Sequence, residues 1–378
     1  MSNKLHHGDC LEVMPTLDAD SVDAIISDPP YGLSFMGKAW DHGVPGEVFW
    51  REALRVAKPG AHLLAFGGTR TFHRLTVAIE DAGWEIRDCV MWVYGSGFPK
   101  SHNGEWGGTA LKPAWEPIIV ARKPLIGTVA ANVLAHGTGA INIDACRVGD
   151  TVETWPKTRS YGGGTEYAFT NTANGVVNSQ STGAVPGGRW PANLIHDGSD
   201  EVTAGFPVTT SGGGDRNGAQ NGEVFNGVGD TGIPRSFPSS TGSAARFFYC
   251  AKASKADRDE GCEGMPQTIQ QSVAHGDKQY GTLPYTNEPR EMNPRPRSNN
   301  HPTVKPTALM RYLCKLVTPH NGIILDPFMG SGSTGKAATL ERFNFIGIDL
   351  SAEYVAIAQA RIDAATKQIA EQLQYGST

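Results

Sequence analysis

Very little in this chain suits a membrane, a disulfide scaffold or a zinc site. No apolar run approaches the roughly 20 residues a membrane-spanning helix needs. The six cysteines, Cys10, Cys89, Cys146, Cys250, Cys262 and Cys314, form no C-x-x-C pair. No Cys/His partner pair accompanies Cys250 and Cys262, so no metal is expected. Basic charge is not in excess: 33 Lys and Arg against 38 Asp and Glu give a net charge of −5. That balance excludes a protein that coats nucleic acid indiscriminately, but it permits a local basic cleft. The first nine residues are polar and rich in histidine, unlike a secretory leader. Reduced thiols and a cytoplasmic location are the expectation.

What is present is a chain of 378 residues, long enough for one large α/β domain carrying an inserted segment. Near its C-terminal end the apolar run Gly322–Leu325 reads as a buried strand. It is followed by Asp326-Pro327-Phe328-Met329-Gly330-Ser331-Gly332-Ser333-Thr334-Gly335, then helix formers from Lys336 to Glu341. A second strand, Phe345–Ile348, ends in Asp349. Glycines at such a turn let backbone approach a ligand, a helix N-terminus offers oriented N–H groups, and an acid after the second strand can accept from ribose hydroxyls. Gly330, Gly332 and Gly335 also satisfy the dinucleotide pattern G-x-G-x-x-G. A carboxylate and a bulky aromatic just before the glycines suit a cationic, methionine-derived nucleoside better.

Three hundred residues earlier, the apolar strand Val22–Ile26 ends in Ser27-Asp28-Pro29-Pro30-Tyr31-Gly32. Two successive prolines extend neither a sheet nor a helix, so they fix a rigid corner at the strand's carboxyl end, where parallel sheets bind ligands. The corner offers a carboxylate, a proline carbonyl and an aromatic ring. A flat base with an exocyclic amine needs two acceptors for its N–H bonds and a ring to stack on.

On these residues the chain resembles the S-adenosylmethionine-dependent DNA amino-methyltransferases, in the subgroup whose catalytic motif precedes the cofactor motif. Asp28-Pro29-Pro30-Tyr31 matches the family's D/N/S-P-P-Y/F/W motif and Asp326–Gly332 its D-P-F-x-G-S-G motif. His301-Pro302-Thr303-Val304-Lys305-Pro306 matches the segment before the cofactor strand. The resemblance implies a Rossmann-like α/β domain with circularly permuted motif order, so that Asp9 and Asp349 meet in space. It implies methyl transfer to adenine N6 in double-stranded DNA, with cytosine N4 as the alternative, catalysed at Asp28, Pro29, Pro30 and Tyr31. S-adenosylmethionine is expected at Asp9, Cys10, Asp28, His301, Thr303, Lys305, Pro306, Asp326, Phe328, Gly330, Ser331, Gly332, Ser333, Thr334, Asp349 and Leu350. A homodimer or higher homo-oligomer is also implied. Methylation of RNA or a protein amide, an inactive DNA-binding subunit and a NAD-linked oxidoreductase are the competing readings. Asp9 can at the same time cap a helix over Leu11–Leu17.

Between the motif blocks, helix and strand patterns alternate: helices over Val48–Ala57 and Thr71–Ala82, strands over Ala61–Phe66, Trp84–Tyr94 and Trp115–Ala121. Gly32–Gly46 (Phe35, Met36, Lys38, Trp40, His42) reads as a loop beside the base pocket, and Gly95–Lys112 as a hairpin connection. The divisions expected are 1–124 as the catalytic half and 125–245 as a Gly/Ser/Asn-rich insertion that serves target recognition. A basic, Pro-rich connection over 246–300 and the cofactor-binding half over 301–378 complete them. Arg246–Cys250 reads as strand. Lys252, Lys255, Arg258, Arg290, Arg295, Arg297 and Lys305 are candidate phosphate contacts, and Val355, Ala358, Ile362, Ala365 and Ile369 form the apolar row of a last helix capped by Ser351.

Overall fold

A computed structural model describes residues 2–33, 41–97, 103–152, 159–160, 180–181, 187–211, 214–216, 235–237, 240–252, 254, 256–269, 281–282, 289–290 and 296–375. Nine strands form the central sheet. They are β1 (Asn3–His7), β2 (Val22–Ser27), β3 (Ala57–Phe66), β4 (Glu85–Val93), β5 (Trp115–Arg122), β6 (Leu194–His196), β7 (Tyr249–Cys250), β8 (Ile323–Asp326) and β9 (Asn344–Asp349). Their spatial order is β1-β9-β8-β2-β3-β5-β4-β6-β7. Only β5 runs against its neighbours; every other adjacent pair is parallel. Among the described residues, six helices have eight or more residues: α1 (Glu47–Val56), α2 (Phe72–Asp81), α3 (Val129–His136), α4 (Thr307–Val317), α5 (Ser333–Leu340) and α6 (Ala352–Tyr375).

The period-2 alternation of the strands explains why the sheet is covered on both faces. Ala24, Ile26, Leu64, Phe66, Ile118, Val120, Ile324 and Phe345 point to one face and pack with Leu309, Leu313, Ala337 and Ile362 of α4, α5 and α6. Ile25, Leu63, Ala65, Ile119, Leu325 and Ile346 point to the other, against Trp50 of α1 and Leu75 and Ile79 of α2. In α6 the row Ala358, Ile362, Ala365 and Ile369 is buried, and the Ser351 hydroxyl accepts from Tyr354 N at 3.3 Å.

Two topological facts position the cleft. The last strand of the sheet, β9, pairs in parallel with the first, β1, with His7 opposite Asp349, so Asp9 and Asp349 leave neighbouring strands side by side. Strands β8 and β2 are also neighbours, yet the chain leaves β8 towards β9 and β2 towards β3, in opposite directions. The crevice between such diverging connections is where open α/β sheets bind ligands, and both sequence motifs sit there.

The long segment before α4 is partly built into this sheet. Leu194–His196 pairs with β4 and with Tyr249–Cys250. Asn132 of α3 is buried, donating to the carbonyls of Pro59 and Thr138 at 2.8 Å each. The expected strand over Arg246–Cys250 is a 3-10 turn, Ala244–Phe247, followed by only two strand residues. The reason is that Arg246 turns back to donate to Ser243 O at 2.7 Å and Thr209 O at 3.1 Å. Phe35, Met36, Lys38, Trp40, Phe98, Lys100, His102, Tyr161–Gly164, Lys255 and Arg295 lie outside the described residues. No described helix is long and apolar enough to cross a membrane.

Candidate active site

The proline corner follows β2 and the glycine turn follows β8, so both open on one cleft of about 600 Å³. Of the sequence-expected residues it is lined by Asp9, Cys10, Asp28, Pro29, Pro30, Tyr31, His301, Thr303, Lys305, Asp326, Phe328, Gly330, Ser331, Ser333, Thr334, Asp349 and Leu350. Two expected residues stand apart. Pro306 is the N-cap of α4. Gly332 has φ +74°, and a Cβ there meets Ala358 Cβ at 2.7 Å, so it faces α6.

At the glycine end, Gly330 takes φ +52°, and a Cβ on it sits 2.8 Å from His301 Nε2. Its N–H donates to Asp349 Oδ2 at 2.8 Å, and Ser351 N donates to the other oxygen at 2.8 Å. Asp9 accepts from Leu11 N at 2.8 Å, so it is a helix cap that also lines the cleft. Asp326 is buried; its Oδ1 accepts from the Ser27 hydroxyl at 2.6 Å and from Phe328 N at 3.1 Å. Burial pushes this carboxyl up to about 7, against the pull of those hydrogen bonds. Among the described residues no cation pairs with it within 4 Å. Phe328 rests on Phe49 and Trp50, with ring centroids 5.7 and 6.0 Å away. His301 stacks edge-on to Tyr354 at 4.6 Å, and burial lowers its pKa to about 4, so the ring is neutral at pH 7.

At the proline end, a compact polar network forms. The Tyr31 hydroxyl donates to Asp28 Oδ1 at 2.7 Å and lies 3.1 Å from Glu116 Oε2. Lys305 Nζ donates to Glu116 Oε2 at 2.7 Å and to the Tyr31 hydroxyl at 3.0 Å, and it is 3.2 Å from Asp28 Oδ1. The ammonium also lies over the Phe66 ring, 4.8 Å from its centroid. Burial raises the Asp28 carboxyl, Lys305 opposes that shift and Glu116 adds to it. Burial alone lowers the pKa of Lys305, but the carboxylates of Asp28 and Glu116 overcome it, and the net direction is upward. The ammonium is therefore charged throughout the physiological range.

Two candidates for phosphate contact are corrected here. Lys305 is buried and satisfied by Glu116, Tyr31 and Asp28, so it does not reach a DNA backbone. Arg258 donates to His301 O at 2.6 Å and Pro302 O at 3.4 Å, bracing the segment that carries His301 and Lys305. Lys252 is exposed, just past β7 on the carboxyl edge of the sheet. Arg290 and Arg297 fall in two-residue strands, Pro289–Arg290 and Pro296–Arg297.

Three site residues escaped the sequence reading. Glu116 was hidden within an apolar strand; a lone acid in Trp115-Glu116-Pro117-Ile118-Ile119 was the available signal. Tyr94 lines the cleft beside it. Arg361 of α6 is fully buried and donates to Ser331 O at 2.6 Å and to Asp257 O at 3.0 Å, holding the glycine turn from below. Nothing in the helical periodicity marks it.

The family model described as DNA methylase matches residues 22–360, which spans both motif blocks and everything between them. The chain belongs to the DNA methylase family. Among curated members, the DNA adenine methyltransferase YhdJ of Escherichia coli (strain K12) is 40% identical over 74 residues, 20% of this chain and 25% of the relative. The type II methyltransferase M2.DpnII of Streptococcus pneumoniae is 43% identical over 67 residues, 18% of this chain and 25% of the relative. The methylase chain thus spans 25% of the length of each of these two relatives. Among solved structures, the cytosine-N4-specific PvuII DNA methyltransferase is similar at 13% identity and a TM-score of 0.48, over 98% of this chain and 93% of that one. The M1.HpyAVI–SAM complex is similar at 16% identity and a TM-score of 0.41, over 95% of this chain and 98% of that one.

Proposed function

We propose that this methylase transfers a methyl group from S-adenosylmethionine to N6 of an adenine drawn out of double-stranded DNA. The observation that carries the reading is that Asp28 and Asp326, at the ends of adjacent strands β2 and β8, open on one cleft. The cleft fits the cofactor in two respects. The Asp326 carboxylate lacks a cationic partner among the described residues and suits a ligand with positive charge. Asp349 offers a carboxylate at the end of β9 for ribose hydroxyls. The side-chain-free, left-handed Gly330 lets the His301 ring pack against the glycine turn at the cleft wall. Asp326, His301 and Thr303 would hold the methionine part, and Asp9, Phe328, Asp349 and Leu350 the adenosyl part.

When bound, S-adenosylmethionine supplies an electrophilic methyl group on a sulfonium. The amine it meets is a poor nucleophile, because its lone pair is delocalised into the base. Asp28 accepts one N–H bond and the Pro29 carbonyl the other, which concentrates the lone pair on nitrogen and orients it. Asp28 then takes the one proton the nitrogen sheds as its new N–C bond forms. The Tyr31 ring stacks on the extruded base, since a base within the duplex cannot enter the cleft. None of the six cysteines is needed for a covalent intermediate.

The test is transfer of labelled methyl to DNA by wild type and by Asp28→Ala, with nucleoside analysis of the product. N6-methyladenine from wild type and none from the variant is the expected result. N4-methylcytosine as the product changes the base but keeps the site. Equal methylation by both proteins removes Asp28 from the chemistry and overturns the reading.

A further inference from the structure

Asp28 does not face its substrate alone. Tyr31 of the corner itself and Lys305 of the segment before α4 meet at its Oδ1, and Glu116 of β5 contacts both of them. The Asp326 carboxyl at the end of β8 also feels the charge of Asp28, and Tyr94 just past β4 hydrogen-bonds Glu116. The ammonium of Lys305 is closer to Glu116, at 2.7 Å, than to Asp28, at 3.2 Å. With Asp28 and Glu116 ionised, two carboxylates therefore share one cation, and the cluster keeps one net negative charge.

That surplus charge matters to the chemistry. A carboxylate closely paired with an ammonium is a weak acceptor for an N–H bond and a weak base for the proton that follows. Without Glu116, Lys305 is free to settle on Asp28. With it, the ammonium is shared, 2.7 Å from Glu116 and 3.2 Å from Asp28 Oδ1, which also accepts from the neutral Tyr31 hydroxyl. We propose that Glu116 is a positioning residue for methyl transfer, which shares the Lys305 ammonium with Asp28, so that Asp28 is only partly neutralised and stays an acceptor for the target amine. The inference rests on the methyltransfer reading above. Burial and Glu116 both push the Asp28 carboxyl up while Lys305 pulls it down, in keeping with this division of roles.

Glu116→Gln keeps the shape and removes the charge. Its kcat is expected to fall on the order of tenfold, the scale of one charge-assisted hydrogen bond, with KM for S-adenosylmethionine unchanged. Lys305 then rests on Asp28, so the Asp28 carboxyl titrates lower and the acid limb of the kcat profile moves to lower pH. Glu116→Asp is expected to recover part of the loss. In Lys305→Met no ammonium remains to be shared, so adding Glu116→Gln to it is expected to cost little more. A Glu116→Gln enzyme with wild-type kcat, or one whose loss leaves the acid limb in place, overturns the proposal. So does a double variant whose losses simply multiply. Asp28→Ala assayed alongside separates the two levels: its inactivity upholds the parent reading whatever Glu116 does, and its full activity sinks both.

Discussion

The amide of Gly330 donates to the carboxylate of Asp349 at 2.8 Å, which ties the glycine turn after β8 to the acid after β9. Asp349 also accepts from Ser351 N at 2.8 Å, so one side chain fixes both loops at the glycine end of the cleft.

Asp349→Ala removes the acceptor for both amides and, in the proposed binding mode, for the ribose. A loss of about 1–3 kcal/mol in S-adenosylmethionine binding is expected, from a stranded charge-assisted hydrogen bond. Gly330→Val adds a Cβ 2.8 Å from His301 Nε2 at a φ of +52°, and the left-handed backbone alone costs about 1–2 kcal/mol for a side-chain-bearing residue. Calorimetry measures both. Wild-type affinity in the two variants would remove the ligand from this side of the cleft.

Cofactor affinity should rise with pH through neutrality. Burial places the Asp326 carboxyl at about 7, so its anion, the form that attracts a cationic ligand, is lost as pH falls through that value. A ligand that binds only the anion weakens by about tenfold between pH 8 and pH 6. Binding in turn stabilises the anion and takes up no proton. Titration calorimetry at several pH values checks this, and Asp326→Asn should show a flat, weak profile. A steep profile in that variant would point to another group.

Arg361→Met should loosen the molecule rather than the chemistry. The guanidinium is buried against Ser331 O and Asp257 O, and each stranded carbonyl costs about 1–3 kcal/mol. Denaturant unfolding should show the midpoint fall, and saturating S-adenosylmethionine should restore part of it, because the ligand binds only the folded turn. Unchanged stability would mean that the turn holds its shape without this prop.

Lys252 and Arg258 should behave as opposites. Lys252→Ala is expected to weaken DNA binding alike for all sequences and to reduce the salt slope by about 1. Arg258→Ala is expected to leave the slope alone and lower stability, since its partners are the carbonyls of His301 and Pro302. Equal slopes in wild type and Lys252→Ala would take the DNA path away from the β7 edge.

The sequence by itself determined whatever depends on neighbours along the chain. Asp28-Pro29-Pro30-Tyr31 is a rigid corner because prolines restrict their own backbone. Gly330 to Gly332 is a turn into a helix because glycine admits positive φ. The strands are legible because Ile25/Ile26 and Leu63/Leu64 alternate between two buried faces. Even the meeting of β1 with β9 followed from motif order. Tertiary structure alone decided which distant side chains share a charge. Lys305 reads as one more cation in a basic stretch until the fold buries it, and a buried ammonium must find carboxylates, here Glu116 and Asp28. Arg361 reads as the polar face of a helix until Gly332 brings α6 against the glycine turn. Leu194–His196 is unmarked within the Gly/Ser/Asn-rich insertion because three residues carry no periodicity; only the open edge of β4 makes them strand. Local conformation is fixed by steric limits on each residue, whereas electrostatic partnership depends on burial, which belongs to the folded whole.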